Sequence, residues 1–387
     1  MYLSQLRLLC FRIYREASLE LLPGVNLVLG QNGDGKTSLL EAIATLALTM
    51  SPRSGSLGEC ATWGESRMGV AGRLVSRLGE TELELRGEQP PGAQRWVRRL
   101  RLGGESTPRR QLLGRFRVVV FWPEDLLLVK GGPEPRRRML DVVLSQLSPS
   151  YAEAATRYRR TVEHRTALLR RLREGLASPA DLLPWTEALA QEGAKVLEER
   201  RRYLEIIQPG AAQAVAKMGE TAELTLQYRP GLGAGAEAHQ DLSEALRRAL
   251  SRVSQEEIAR AQCLVGPHRD DFEILLGGRP ARQFASQGQQ RSLVLAFKVA
   301  EVRQHLSLGG ETPLLLLDDV LSELDEQRRT GLVRLLSEEL AVEQTLITAT
   351  EDPQIADEVS VAQVLRARGG QLTPQLGPER SERHWRA

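Results

Sequence analysis

Apolar residues in the first thirty positions alternate with polar ones. Leu6 and Leu8 do so, then Leu19 and Leu21, before Pro23-Gly24 turns the chain into Val25-Asn26-Leu27-Val28-Leu29. Alternation at period two predicts strands, and the Pro-Gly pair a turn between them. A glycine-rich loop follows, then a predicted helix with Leu39, Ile43 and Leu46 on its inward face. Residues 51–117 predict short strands separated by glycine-rich turns. The apolar run Val118-Val119-Val120-Phe121-Trp122 predicts a further strand, ended by Pro123.

From about residue 136 to 208 the period becomes helical. Ala155, Tyr158, Val162, Leu169, Leu172 and Leu176 keep three-four spacing, interrupted by Arg165. After Ser178-Pro179, Leu182, Leu189, Val196 and Tyr203 recur every seven residues, which predicts two antiparallel helices packed as a short coiled-coil hairpin. At 1.5 Å per residue, arms of roughly 25 residues reach roughly 37 Å. Residues 221–229 predict a strand, 241–260 an amphipathic helix with Leu242, Ala245, Leu246, Leu250 and Val253 inward, 271–276 a strand, and 287–306 a helix. Leu314-Leu315-Leu316-Leu317 is a fully buried strand of the parallel-sheet kind, and Thr345-Leu346-Ile347-Thr348 a last strand. From about Gly369 onward the chain is polar, which predicts a disordered tail over 369–387.

Composition changes this picture little. With 387 residues, 41% hydrophobic and 26% charged, the chain suits a soluble globular protein of more than one domain. No apolar run reaches the ~18–20 residues of a membrane span, so a cytoplasmic address without a membrane partner is expected. Cys10, Cys60 and Cys263 have no metal-ligand spacing and are expected as buried or reduced thiols. The net charge of +2 gives no global field for nucleic acid, but of 52 basic residues only Lys36, Lys130, Lys195, Lys217 and Lys298 are lysines. Arginine suits bidentate phosphate contacts, although coding bias accounts for such a preference as well.

Two segments carry chemistry. Gly30, Gln31, Asn32, Gly33, Asp34, Gly35, Lys36 and Thr37 form G-x-x-x-x-G-K-[ST] between a predicted strand and a predicted helix. The glycines let backbone amides face phosphates, and the helix N-terminus adds its positive end. Lys36 is assigned to the β- and γ-phosphates of ATP, Thr37 to Mg²⁺, and Ser38 to the same nucleotide site. The acidic end of 314–319 is its partner: Asp318 holds the metal, and Asp319 beside it orients or deprotonates the attacking water. Lys36 and Asp319 are thus the catalytic candidates. The long separation between the two segments points to an insertion, with the helical hairpin as the inserted part.

Ser286, Gln287, Gly288 and Gln289 open the helix before the acidic strand, where Ser286 suits a cap and free amides an anion. Ser286-Gln287-Gly288-Gln289-Gln290 resembles the signature motif of ABC-type ATPases, and Ser322-Glu323-Leu324-Asp325 their D-loop. The resemblance implies a head-to-head homodimer with two ATP molecules sandwiched between subunits. A finer match lies in residues 123–131, Pro135-Arg136-Arg137-Arg138, Gly266-Pro267-His268-Arg269-Asp270-Asp271 and residues 284–291, which resemble stretches of the RecF family, related to SMC and Rad50 heads. The likeness runs in order over residues 1–350 and fails in the tail and in loops such as 51–60 and 87–110.

That resemblance implies an α/β P-loop ABC-type ATPase head with an inserted helical arm. Residues 1–130 and 262–368 are expected to form the head and 131–261 the arm and second lobe. It further implies ATP-dependent dimerisation, DNA binding, slow ATP hydrolysis, and partnership with RecR and RecO in loading recombinase at gapped DNA. The alternative is an ABC-type ATPase subunit of another machine, a transporter or an SMC-like scaffold. Two departures from the ABC pattern stand out. Asp319 replaces the usual glutamate, and Thr348-Ala349-Thr350 stands where a switch histidine is common, which leaves Thr348 or Thr350 for γ-phosphate sensing. No glutamine stands near 121–125 to supply a glutamine loop. His268 reads as structural more readily than as catalytic. Arg95, Arg98, Arg99 and Arg101 lie in a stretch, 95–117, whose one acid is Glu105, with Trp96 and Phe116 interleaved. This makes them candidates for DNA phosphates, or else a solvated loop.

Overall fold

The computed structural model describes residues 1–233, 241–307, 311–320, 329–330, 342–351 and 360–375. Two compact units emerge, residues 1–124 with 301–387, and residues 125–300.

The first unit contains two six-stranded sheets. One has the strand order Gln371–Gln375, Val361–Arg368, Gly24–Leu29, Gln344–Ala349, Leu314–Asp318, Val118–Phe121, parallel throughout except for its terminal hairpin. Every residue of 314–318, 344–349 and 118–121 is buried, as expected where a parallel sheet is covered on both faces. The other sheet is antiparallel, in the order Tyr14–Glu20, Tyr2–Phe11, Arg67–Ser76, Gly79–Glu88, Val97–Leu102, Glu105–Ser106. The helix Lys36–Leu48 contacts strands of both sheets, and its burial extends well beyond Leu39, Ile43 and Leu46 to nearly every residue. Buried Gln344 joins the two sheets: its side chain accepts from the Leu3 amide at 2.8 Å and donates to the Leu3 and Leu22 carbonyls at 2.9 and 3.0 Å.

Two expectations for this unit need correction. Residues 67–76 and 79–88 are ten-residue strands rather than short pieces. Gly69, Gly72 and Gly87 lie inside them and not in turns; a Cβ on Gly72 would come within 2.7 Å of Leu3 Cδ1 and 2.9 Å of Leu46 Cδ2. Glycine there admits the central helix. The first part of the expected disordered tail is structured, because 369–370 turn into the strand Gln371–Gln375, paired with Val361–Arg368; the rest of that tail, 376–387, lies outside the described residues. An exposed edge strand held by backbone bonds has no hydrophobic signal to read.

In the second unit, helices Pro133–Leu147, Pro149–Arg173, Leu183–Lys217 and Leu242–Arg260 accompany a three-stranded antiparallel sheet in the order Arg279–Pro280, Asp271–Leu276, Leu224–Arg229. Helices 149–173 and 183–217 form the predicted hairpin, with Leu182, Leu189, Val196 and Tyr203 buried. The second helix runs through Pro209, which forfeits one backbone bond. Buried Ile207, Ala211, Ala214 and Val215 on either side of the proline offset that loss. Arg165 breaks the apolar spacing because it pairs with buried Glu257 of helix 242–260 at 2.6 Å. Leu176, beyond the helix end, is exposed.

The unit boundaries fall at 124 and 300, not at 130 and 261. Strand 271–276 pairs with 224–229, and two buried arginines bind the acids at its start: Arg136 reaches both Asp271 oxygens at 2.6 and 2.9 Å, and Arg200 both Asp270 oxygens at 2.8 and 2.7 Å. These bonds tie the Gly-Pro-His-Arg-Asp-Asp and triple-arginine stretches to each other, so residues 262–300 fold with the helices.

Candidate nucleotide-binding site

Strand 24–29 ends in the phosphate loop, residues 30–37. Gly35 stands before helix 36–48 at φ 103°, and a Cβ there would meet the Tyr14 hydroxyl at 2.8 Å and Ile13 Cγ2 at 3.0 Å. Glycine is required by backbone and by space together. The helix N-terminus carries no side-chain cap, which leaves its first amides for an anion. Lys36 is buried, and its Nζ donates to the Gly30 and Gln31 carbonyls at 2.7 and 3.0 Å, arching over the loop. The Asp34 carboxylate accepts from the Gln31 amide at 2.7 Å and the Gly369 amide at 3.1 Å. Those two amides, Gly369 first, hold its pKa below the ordinary range. The loop is thereby fastened to the 369–370 turn.

Asp318 ends strand 314–318 and is buried. The Thr37 hydroxyl lies 2.8 and 3.0 Å from its two oxygens, and the Thr348 hydroxyl donates to one of them at 2.8 Å. Thr348 also accepts from the Asp319 amide at 3.0 Å. Burial pushes the Asp318 carboxyl up, against the two threonine bonds and the charge of Arg53. Asp319 holds φ 51°, an uncommon conformation for a residue other than glycine. The adjoining carboxylate and hydroxyl of Asp318 and Thr37 suit a hard cation that keeps several waters, and a buried carboxylate whose side-chain partners among the described residues are hydroxyls favours a positive neighbour. The donor set fits Mg²⁺.

Sequence reasoning missed three contributors. Arg53 sits 5.4 Å over the Trp122 ring and 2.8 Å from Glu124, near enough to Asp318 to act on its charge. It lies in a serine- and glycine-rich loop that offered no periodic signal. Tyr14, buried, donates to the Gly35 carbonyl at 2.9 Å. Buried Glu41 takes Arg12 at 2.7 Å and the Ser51 hydroxyl at 2.6 Å, fixing loop 51–60 to the central helix. Of the two candidate threonines, Thr348 is the one on Asp318.

Ser286 and Gln289, in the second unit, form a capping box. The Ser286 hydroxyl accepts from the Gln289 amide at 3.2 Å, and Gln289 Oε1 accepts from the Ser286 amide at 2.9 Å. Ser286 and Gln287 are exposed and Gly288 half-buried. His268 is structural: Nε2 donates to the Cys263 carbonyl at 3.0 Å, so Nδ1 accepts from Tyr158 at 2.5 Å. Burial lowers its pKa to about 4. Arg99 and Arg101 alternate with Arg98 along strand 97–102, so the pair shares one sheet face and Arg98 lies on the other. Glu88 and Glu84 of the adjacent strand approach Arg99 and Arg101 at 3.9 Å, acids invisible in the linear stretch. Arg95 precedes the strand and is exposed. Cys60 and Cys263 are buried and Cys10 half-buried, all three free. The D-loop candidate, 322–325, lies outside the described residues. Among those residues no helix is long and apolar enough to cross a membrane.

The chain is 39% identical over 349 residues to the DNA replication and repair protein RecF of Moorella thermoacetica, covering 90% of each. It is 40% identical over 377 residues to that of Heliobacterium modesticaldum, covering 96% of this chain and 99% of the relative. The chain belongs to the RecF family. Residues 5–73 match the family described as an AAA domain. A solved RecF–ATP structure, described as a recombination mediator in the RecFOR pathway, superposes with TM-score 0.87 at 29% identity over 97% of this chain and 98% of that one. An Smc head bound to the winged-helix domain of ScpA, at TM-score 0.55 and 15% identity over 98% and 99%, shares the fold. The family fold is the P-loop ABC-type ATPase head that the sequence motifs implied.

Proposed function

We propose that this RecF-family chain is an ATP-gated, DNA-binding homodimer that helps load recombinase at single-strand gaps, together with RecR and RecO, and hydrolyses ATP slowly. The observation that carries the ATP switch is the meeting of the Thr37 and Thr348 hydroxyls on buried Asp318. Solved RecF described with ATP and as a recombination mediator supports the same reading.

In this mechanism the loop amides of 30–37 and Lys36 hold the triphosphate, and Ser38 lies one residue into the same helix. Thr37 and Asp318 would hold Mg²⁺, which supplies positive charge against the phosphates. Thr348 bridges the Asp318 carboxylate and the Asp319 amide, and so fixes the chain entering Asp319. Asp319 orients the attacking water. Its reach is one methylene shorter than the glutamate usual in ABC proteins, which fits a slow switch rather than a motor. Ser286, Gln287, Gly288 and Gln289 form the trans-acting surface for the γ-phosphate of a second copy.

Light scattering with ATP and Mg²⁺ tests the dimer. Ser286→Arg should retain ATP binding, since residues 30–37 are untouched, and lose ATP-driven dimerisation. Asp319→Asn should accumulate the ATP-bound dimer because hydrolysis fails. A Ser286→Arg variant that dimerises as wild type overturns the trans-acting assignment.

A further inference from the structure

The phosphate loop rests on a part of the chain that lies 335 residues further on. Strand 361–368 pairs in parallel with strand 24–29, Leu365 opposite Val28 and Arg366 opposite Leu29, and then runs on beside the loop. A Cβ on Gly30 would stand 2.5 Å from the Ala367 carbonyl oxygen, so the first loop residue lies directly on that strand. Beyond it the 369–370 turn bonds Asp34 twice. The Gly369 amide donates to the Asp34 carboxylate at 3.1 Å and the Gly370 amide to the Asp34 carbonyl at 3.4 Å. Gly370 is itself seated: it is buried at φ 79°, and a Cβ there would stand 2.8 Å from the Ile13 carbonyl oxygen.

An aspartate is a costly residue for a loop that receives a triphosphate, because like charges repel. The geometry shows what its carboxylate does there. One oxygen takes the Gln31 amide at 2.7 Å and the other the Gly369 amide. The Gln31 carbonyl in turn accepts from the Asp34 amide at 3.2 Å and from Lys36 Nζ at 3.0 Å. A continuous set of bonds thus runs from the lysine of the cradle, through Gln31 and Asp34, to the turn of the terminal hairpin. Strand 371–375 closes that hairpin at the edge of its sheet and is almost wholly exposed. An edge element with so little buried surface opens at low cost in free energy.

We infer that Asp34 is a positioning residue that couples occupancy of the phosphate loop to the order of the terminal hairpin, residues 361–375; this rests on the ATP reading of residues 30–37. Asp34 acts through the loop backbone and not on the nucleotide. ATP that fixes the loop steadies the turn, and a seated turn spares ATP part of the entropy of ordering the loop. The coupling is reciprocal, so a contact that steadies the hairpin tightens ATP by the factor by which ATP steadies the hairpin.

Hydrogen exchange and titration calorimetry on the full chain, with Mg²⁺ and with or without ATP, test this. In wild type, ATP should slow exchange across 365–375. Asp34→Ala should abolish that slowing and weaken ATP about fivefold. The sign is decisive, since removing a negative charge beside the phosphates would by charge alone tighten ATP. Asp34→Asn keeps an acceptor oxygen and should retain part of the coupling. Gly370→Val, outside the loop, should unseat the turn and weaken ATP in the same way, and adding Asp34→Ala to it should cost little more. ATP affinity in Asp34→Ala equal to or above wild type overturns the inference, as does slowing across 365–375 that survives in that variant. Wild-type protein without ATP affinity overturns the phosphate-loop reading instead; ATP affinity without any slowing overturns the coupling alone.

Discussion

Thr348 carries two neighbouring acids on one hydroxyl, donating to Asp318 and accepting from the Asp319 amide. Removing it leaves a buried carboxylate one partner short, a loss of about 1–3 kcal/mol where a charged group is involved. Thr348→Ala should therefore cut ATP turnover at saturating ATP by about tenfold or more, with Thr348→Ser near wild type; a phosphate-release assay reads both. A second residue-scale consequence concerns acid. Burial lowers the pKa of His305 to about 3, and that of His268 to about 4. The unfolded chain takes up these protons below about pH 6.5 while the folded chain refuses them, so stability is full above that pH and falls between about 6.5 and 4, by up to about 1.4 kcal/mol per pH unit for each site. Among the described residues, neither ring nitrogen of His305 has a hydrogen-bond partner. His305→Leu should melt near the wild-type temperature at pH 8 and lose less on acidification to pH 5, as thermal denaturation across that range will show.

Among elements, the phosphate-loop strand, its helix and the acidic strand were legible because apolar runs and fixed spacings define them within a few residues. What the sequence hid depends on partners far along the chain. Arg165 read as a break in the three-four spacing and proved to be half of a buried ion pair; Gly72 read as turn material and proved to be the clearance for a helix. Strand 371–375 is almost wholly exposed and offers only Leu372 and Pro374 on its apolar face. The capping box at Ser286 was half legible, since the serine announced a cap and the return bond from Gln289 did not. Gln289→Ala should remove that bond and lower stability by about 0.5–1 kcal/mol in urea denaturation, without loss of ATP binding to the phosphate loop. The arginine strand shows the same limit. Arg99 and Arg101 meet glutamates from the neighbouring strand, and Arg98 lies on the other face.

At the scale of the whole molecule, the proposed hold on DNA makes those arginines its phosphate contacts. Replacing Arg99 and Arg101 together should lower duplex affinity and reduce the log–log salt slope by roughly 0.9 for each phosphate no longer neutralised. Arg98→Ala alone should act independently of that pair, being on the other face. A salt slope equal to wild type in all variants would return the strand to a solvated surface of paired charges.

The P-loop strand has a further consequence, for the order in which the protein comes into being. Strand 24–29 leaves the ribosome early, yet its two neighbours in the sheet are 344–349 and 361–368. At roughly 5–20 residues per second it waits tens of seconds for either. Asp318 lacks its Thr348 bond until the same late moment, and Asp34 lacks the Gly369 amide. A nascent chain therefore carries the complete phosphate-loop sequence for most of its synthesis without a sheet to hold it, and long-range closure of this kind is slow. Nucleotide cannot assist the early steps of folding; it can only trap the finished product.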